Sequence, residues 1–299
     1  MAFKFKQTGL LLKTAFSKWW AKDPFKESAV IAYFAIFSLP GLLVVIVTLA
    51  GLVFGTDAVN NHIANQITST FGEDTSDQIR EMIAIASKSK NSVLAAIIGV
   101  ITILVGATGV FVQFQKSLNI IWEVKTDKSK SGIWNIIKVR LFSFGLILSI
   151  AFILIASLVI SSALAAFGEW MSGTTSESLA VVLQVVNVIL SIAILSFLFA
   201  LMFKIFPDAE IKWRHVWLGS IVTAALFELG KFALALYFGK ADPASGYGAA
   251  GSIILILLWV SYSSMIVFYG AEFTHAYTAL HEGQVSADQN AIKQPGRKI

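Results

Sequence analysis

The sequence predicts an all-α fold: a polytopic membrane protein of six transmembrane helices, with an interfacial amphipathic helix at the N-terminus and a helical external loop. Three observations predict it. Charged residues make up 14% of the 299-residue chain and hydrophobic ones 56%, where a soluble domain carries roughly 25% charged; mean hydropathy is +0.74. Too few charges remain to cover a water-facing surface, so lipid is the expected solvent for much of the chain. Second, long uncharged or nearly uncharged apolar runs occupy residues 29–54, 93–122, 133–167, 179–203, 215–238 and 249–277. A helix rises about 1.5 Å per residue, so roughly 20 residues cross a hydrocarbon core about 30 Å thick, and each run is long enough. A transmembrane β-barrel would show short alternating segments instead.

The third observation is the alternation of positive charge. Lys4, Lys6, Lys13, Lys18, Lys22 and Lys26 precede the first run; Lys125, Lys128, Lys130, Lys138 and Arg140 lie about the junction of the second and third. Lys204, Lys212 and Arg214 follow the fourth, and Lys293, Arg297 and Lys298 close the chain. The opposite side holds only Arg80, Lys88, Lys90 and Lys240. The positive-inside rule therefore places both termini in the cytoplasm, which only an even number of spans permits. Trp19, Trp20, Trp122, Trp134, Trp213 and Trp217 fall near the inner interface and Trp170 near the outer one, as aromatic belts require.

Three segments flank this scheme. Residues 1–28 form a cytoplasmic segment in which Leu10, Leu11, Phe16, Trp19 and Trp20 mix with lysines, the pattern of an interfacial helix. The loop 55–92 is the longest external piece; Ile79, Met82, Ile83 and Ile85 recur there near helical spacing. The transmembrane domain is expected over 29–280, followed by a polar, mobile tail at 281–299. Pro40, with Gly41 behind it, interrupts the first run and marks a candidate hinge, whereas Pro207 ends the fourth run at a cytoplasmic turn.

The composition also excludes. No cysteine is present, so disulfide scaffolds and Cys-based zinc sites are out. The formal charge of +5 reads as a basic cytoplasmic face, and no nucleic-acid partner is expected. No cleavable signal peptide is visible ahead of the first run. His62, His215, His275 and His281 are scattered, and neither a P-loop nor an H-E-x-x-H pattern occurs. The sequence thus assigns no cofactor, metal or enzymatic activity.

Ionisable and amide side chains within the runs are the candidate functional residues, because such groups are costly in hydrocarbon. Glu228 and Lys231 lie three apart on one face, with Glu228 about 21 Å beyond Arg214 at helical rise. They read either as a self-neutralising pair or as part of a polar pathway. In "VFVQFQKSLNIIW", Gln113 and Lys116 share one face, and Gln115 and Asn119 another. Lys116 is near enough to Trp122 to snorkel, and the amides read as interhelical glue. Gly248 and Gly251 permit close helix contact, while Ser261, Ser263 and Ser264 need only hydrogen bonds to the preceding turn or a neighbour. Glu272 and His275, also three apart, read as a wet pair at the inner end of the last run.

Four stretches carry a resemblance. "AYFAIFSLPGLL" (32–43), "GVFVQFQKSLNIIW" (109–122), "FPDAEIKWRHVWLGSIVTAALFELGKFALALY" (206–237) and "YGAAGSIILILLWVSYSSMIVFYGAEF" (247–273) resemble the YihY/virulence factor BrkB family of bacterial inner-membrane proteins. The resemblance implies six spans in the bacterial cytoplasmic membrane. It offers no catalytic residues. Gln115, Asn119, Trp122, Pro207, Glu228, Tyr247, Gly248, Gly251 and Glu272 match the motifs as positions of structure or substrate path. An older label of the family, ribonuclease BN, finds no clustered ligands here to support it. The functional expectation is a transporter-like or lipid-handling protein in contact with membrane lipids. The alternative is a structural partner of an envelope protein bound through the loop 55–92.

Overall fold

The computed structural model describes residues 5–55, 93–127, 177–241 and 245–283, together with shorter pieces within 60–81, residue 243 and pieces within 286–293. Six long helices carry it: α1 (Phe5–Trp20), α2 (Pro24–Phe54), α3 (Val93–Ile121), α4 (Glu177–Ile205), α5 (Trp213–Ala241) and α6 (Gly251–Glu282). A 3-10 turn, Ser245–Ala250, leads into α6. Helix α2 begins with Pro24 at its first position, where no intrahelical donor is needed. It continues through Pro40 and Gly41 to Gly55, whose φ of 84° suits a residue without a Cβ. Three described stretches are long and apolar enough to cross a membrane: Val188–Ile205 within α4, Trp213–Ala241 and Gly251–Glu282.

The described helices agree with the first, second, fourth, fifth and sixth apolar runs to within a few residues. Helix α2 starts five residues before its expected span because Pro24 and Glu27 suit a first turn. The third run, 133–167, lies outside the described residues, as does most of the loop 55–92. Helix α6 is the hub: it packs against α1, α2, α3 and α5, while α2 pairs with α3 and α4 with α5.

The fold is mostly helical, as expected, and described pieces of the tail pair with the helical body. Val124–Thr126 (β1) pairs antiparallel with Ala291–Lys293 (β2), and Ala287 bridges to Ala209. Glu123 takes a positive φ of 56° just after α3, where the helix ends and the strand begins, and Val124 is buried in the core. The tail's polar composition hid a strand that needs only backbone groups.

Helix α1 is amphipathic in its packing. Leu11 and Ala15 are buried against Phe273 and Ala276 of α6. Leu10, Phe16 and Trp20 are exposed, the arrangement of a helix lying between a protein surface and a lipid interface.

In hydrocarbon, apolar burial gives helices little reason to associate, so close packing and hydrogen bonds decide. The α5–α6 contact is built accordingly. A Cβ on Gly219 would lie 1.7 Å from Thr274 Oγ1, and one on Gly270 would lie 1.8 Å from Thr223 Oγ1. Each threonine in turn donates to the glycine carbonyl four residues back on its own helix, Thr223 to Gly219 and Thr274 to Gly270, both at 2.7 Å. The two Gly-x-x-x-Thr units are thus reciprocal: each threonine fills the gap left by the other helix's glycine, with its hydroxyl satisfied internally. Gly109 does the same for Phe34 between α3 and α2.

Candidate functional site

The polar groups gather at one end of the helices, where α1 turns into α2, α3 ends, α4 passes to α5, and α6 finishes. Lys22 lies in the α1–α2 corner. Its Nζ donates to Glu272 Oε2 at 2.7 Å and to the Ile121 carbonyl at 3.1 Å. Glu272 is fully buried, and its other oxygen is 3.4 Å from His275 Nδ1. The His275 ring meets Trp122 edge-on at 5.1 Å. One lysine thereby ties α6, the end of α3 and the α1–α2 corner together.

A second carboxylate, Glu27, sits one turn into α2. Its Oε2 accepts from Gln113 at 2.7 Å and from Ser117 at 2.6 Å, both on α3. A third, Asp208, lies in the turn between α4 and α5. Asn119 grips it twice: Nδ2 donates to Oδ2 at 2.9 Å, and Oδ1 accepts from the Asp208 backbone N–H at 2.8 Å. Gln115 donates to Oδ1 at 3.1 Å and Thr126 to Oδ2 at 2.7 Å. The Asp208 carbonyl accepts from Asp288 of the tail. Further out, Glu282 Oε1 stands 3.0 Å from Lys212, 3.9 Å from Arg214 and 3.6 Å from the buried His215 Nε2.

The structure brings Gln115 and Asn119 together on Asp208, as interhelical glue does. Glu272 is not a wet pair with His275: it is fully buried, and the α1–α2 corner supplies Lys22 as its partner. Glu228 and Lys231 form an ion pair at 2.7 Å within α5, their side chains 20% and 39% exposed. They stand apart from the cluster. Lys116 is exposed, and Tyr247 is exposed on the 3-10 turn at the other end of α6. Pro40 and Gly41 lie inside α2. Sequence reasoning passed over Lys22, Glu27, Asp208 and the Gly-x-x-x-Thr pair. Spacing does give a signal for the last, since 219/223 and 270/274 repeat one pattern in two apolar runs.

Between the corner and the end of α3 is a notch of about 20 Å³, room for one or two waters. Trp19, Lys22, Pro24, Glu27, Ser117 and Ile120 contribute to its lining. Trp19 is fixed by a hydrogen bond from Nε1 to the Met265 carbonyl at 3.2 Å. Among the described residues, no three His, Asp or Glu side chains come together as a metal-binding group.

Similarity to known proteins agrees with an apolar helical chain. A protein of Pseudoalteromonas atlantica named UPF0761 membrane protein is 28% identical over 252 residues, 82% of this chain and 78% of its own length. A relative of the same name in Alteromonas mediterranea is 27% identical over 250 residues, 82% of this chain and 79% of its own. Other relatives are longer: the chain spans 42% of one from Albidiferax ferrireducens, at 28% identity over 190 residues. No solved structure matches. With relatives named as membrane proteins and helices of this length and apolarity, the chain is a membrane protein. The family described as Virulence factor BrkB matches residues 15–294, nearly the whole chain, and the protein belongs to it.

Proposed function

We propose that the protein is a multi-pass, six-span protein of the bacterial cytoplasmic membrane with both termini in the cytoplasm, and that it handles lipid or moves a solute without catalysing a reaction. The observation that carries this reading is the meeting of a polar cluster with an amphipathic helix at one end of apolar helices. Lys22, Glu27, Asp208 and Glu272 all stand at that end. Beside them, α1 exposes Leu10, Phe16 and Trp20. The described residues among those counted as cytoplasmic, Lys18, Lys22, Lys125, Lys204 and Lys212 among them, flank the same end, which supports reading it as the inner interface, where lipid headgroups are met.

Purified protein in liposomes tests the reading. The expected result is faster exchange of labelled lipid between leaflets, or flux of a small solute under an ion gradient, than in empty vesicles. Inert vesicles across a broad panel of lipids and solutes count against it. They leave the envelope-partner reading, for which crosslinking from 55–92 to a reproducible protein is the direct check.

A further inference from the structure

The notch lined by Glu27 and Lys22 has the size of a site for a small cation, and Glu27 offers the carboxylate on one side of it. Glu27 accepts from two neutral donors, Gln113 and Ser117, through a single oxygen. No described lysine, arginine or histidine pairs with it, so among the described residues its negative charge is held by neutral donors alone. Lys22, on the same notch, is already committed to buried Glu272 and the Ile121 carbonyl. A carboxylate in that position attracts a cation with N–H groups to spare. Trp19, held in place by Met265, and Phe268 add aromatic rings to the lining, and rings attract cations as well. The room available, about 20 Å³, suits a group the size of water. A primary ammonium has that size; a trimethylammonium does not.

The surroundings indicate the source. Beside Trp19, a ridge of three exposed aromatics runs along the α1–α2 corner. Phe16 meets Trp20 at 6.1 Å between ring centres, and Trp20 meets Phe25 at 5.7 Å. Exposed aromatics beside a charged notch are the arrangement of a membrane interface, with acyl chain along the ridge and headgroup at the charge. We propose that this notch binds the primary ammonium of an aminophospholipid headgroup, with Glu27 as its counter-charge and the Phe16–Trp20–Phe25 ridge against its chain. The proposal deepens the lipid-handling reading and rests on it for the membrane placement.

The test titrates the full-length protein in detergent with mixed micelles of phosphatidylethanolamine, phosphatidylcholine or phosphatidylglycerol of matched chains. Binding is read by native mass spectrometry and tryptophan fluorescence. The ethanolamine lipid is expected to bind about tenfold more tightly than the other two, the worth of one charge-assisted hydrogen bond. Glu27→Gln, which keeps shape and an acceptor, is expected to abolish the preference. Equal binding of the three lipids overturns the site, as does a preference that survives in Glu27→Gln. Should that variant fail to fold, the comparison of lipids on the unaltered protein decides alone. Soluble phosphoethanolamine competing as well as the lipid overturns the membrane source. Leaflet exchange without headgroup preference removes this site and leaves the proposed function; preference without exchange or solute flux supports the site and counts against the function.

Discussion

Glu272 and Glu228 look alike in the sequence and differ in the structure. Each stands in an apolar helix with a basic side chain three residues on. Around Glu272 the fold has closed: it is fully buried, and Lys22 reaches it from a different part of the chain. Around Glu228 nothing has closed: its partner is Lys231 on the same helix, and both are partly exposed. Spacing along a helix specifies the local pair. Only tertiary packing decides whether a carboxylate becomes a joint between elements or remains a neutralised pair on one face.

The largest expected effect breaks that contrast at the buried end. Glu272→Ala leaves the largely buried Lys22 without its carboxylate and is expected to cost about 3 kcal/mol, the low end for breaking a buried pair because Lys22 keeps some access to water, measured as a fall in unfolding midpoint in detergent. Next come the α5–α6 glycines. Gly219→Ala or Gly270→Ala forces a methyl group onto a threonine and is expected to cost about 1–3 kcal/mol in the same assay. Gly239→Ala, with open space around its Cβ, is the control and is expected to be neutral or slightly stabilising. Asp208→Asn is expected to cost about 1–2 kcal/mol, because one amide oxygen cannot serve the donors of Asn119, Gln115 and Thr126 together. The same change should loosen the tail, read as faster tryptic cleavage at Lys293. The smallest effect belongs to α5. Replacing both Glu228 and Lys231 by Gln and Met is expected to stay within about 1 kcal/mol of the parent, because the pair neutralises itself and Lys231 is partly exposed.

The described helices were legible because apolar length is a property of each segment alone. The amides of α3 were legible as glue, since a buried amide needs a partner, but Asp208 was not, since it sits in a polar turn that resembles any other. Glu272 was misread for a related reason. Depth counted along α6 places it near the interface, and nothing local to α6 reveals that Lys22 of the α1–α2 corner reaches it. The tail strand was invisible because its pairing with 124–126 uses backbone groups that composition does not mark.

The most direct test of the account is a double-mutant cycle on Lys22→Met and Glu272→Gln, read by unfolding in detergent. A sealed joint between the α1–α2 corner and α6 predicts strong coupling, about 1.5 kcal/mol or more, with the double variant more stable than the sum of the single losses allows. Losses that add to within about 0.5 kcal/mol would mean the two side chains act independently, and would contradict the account.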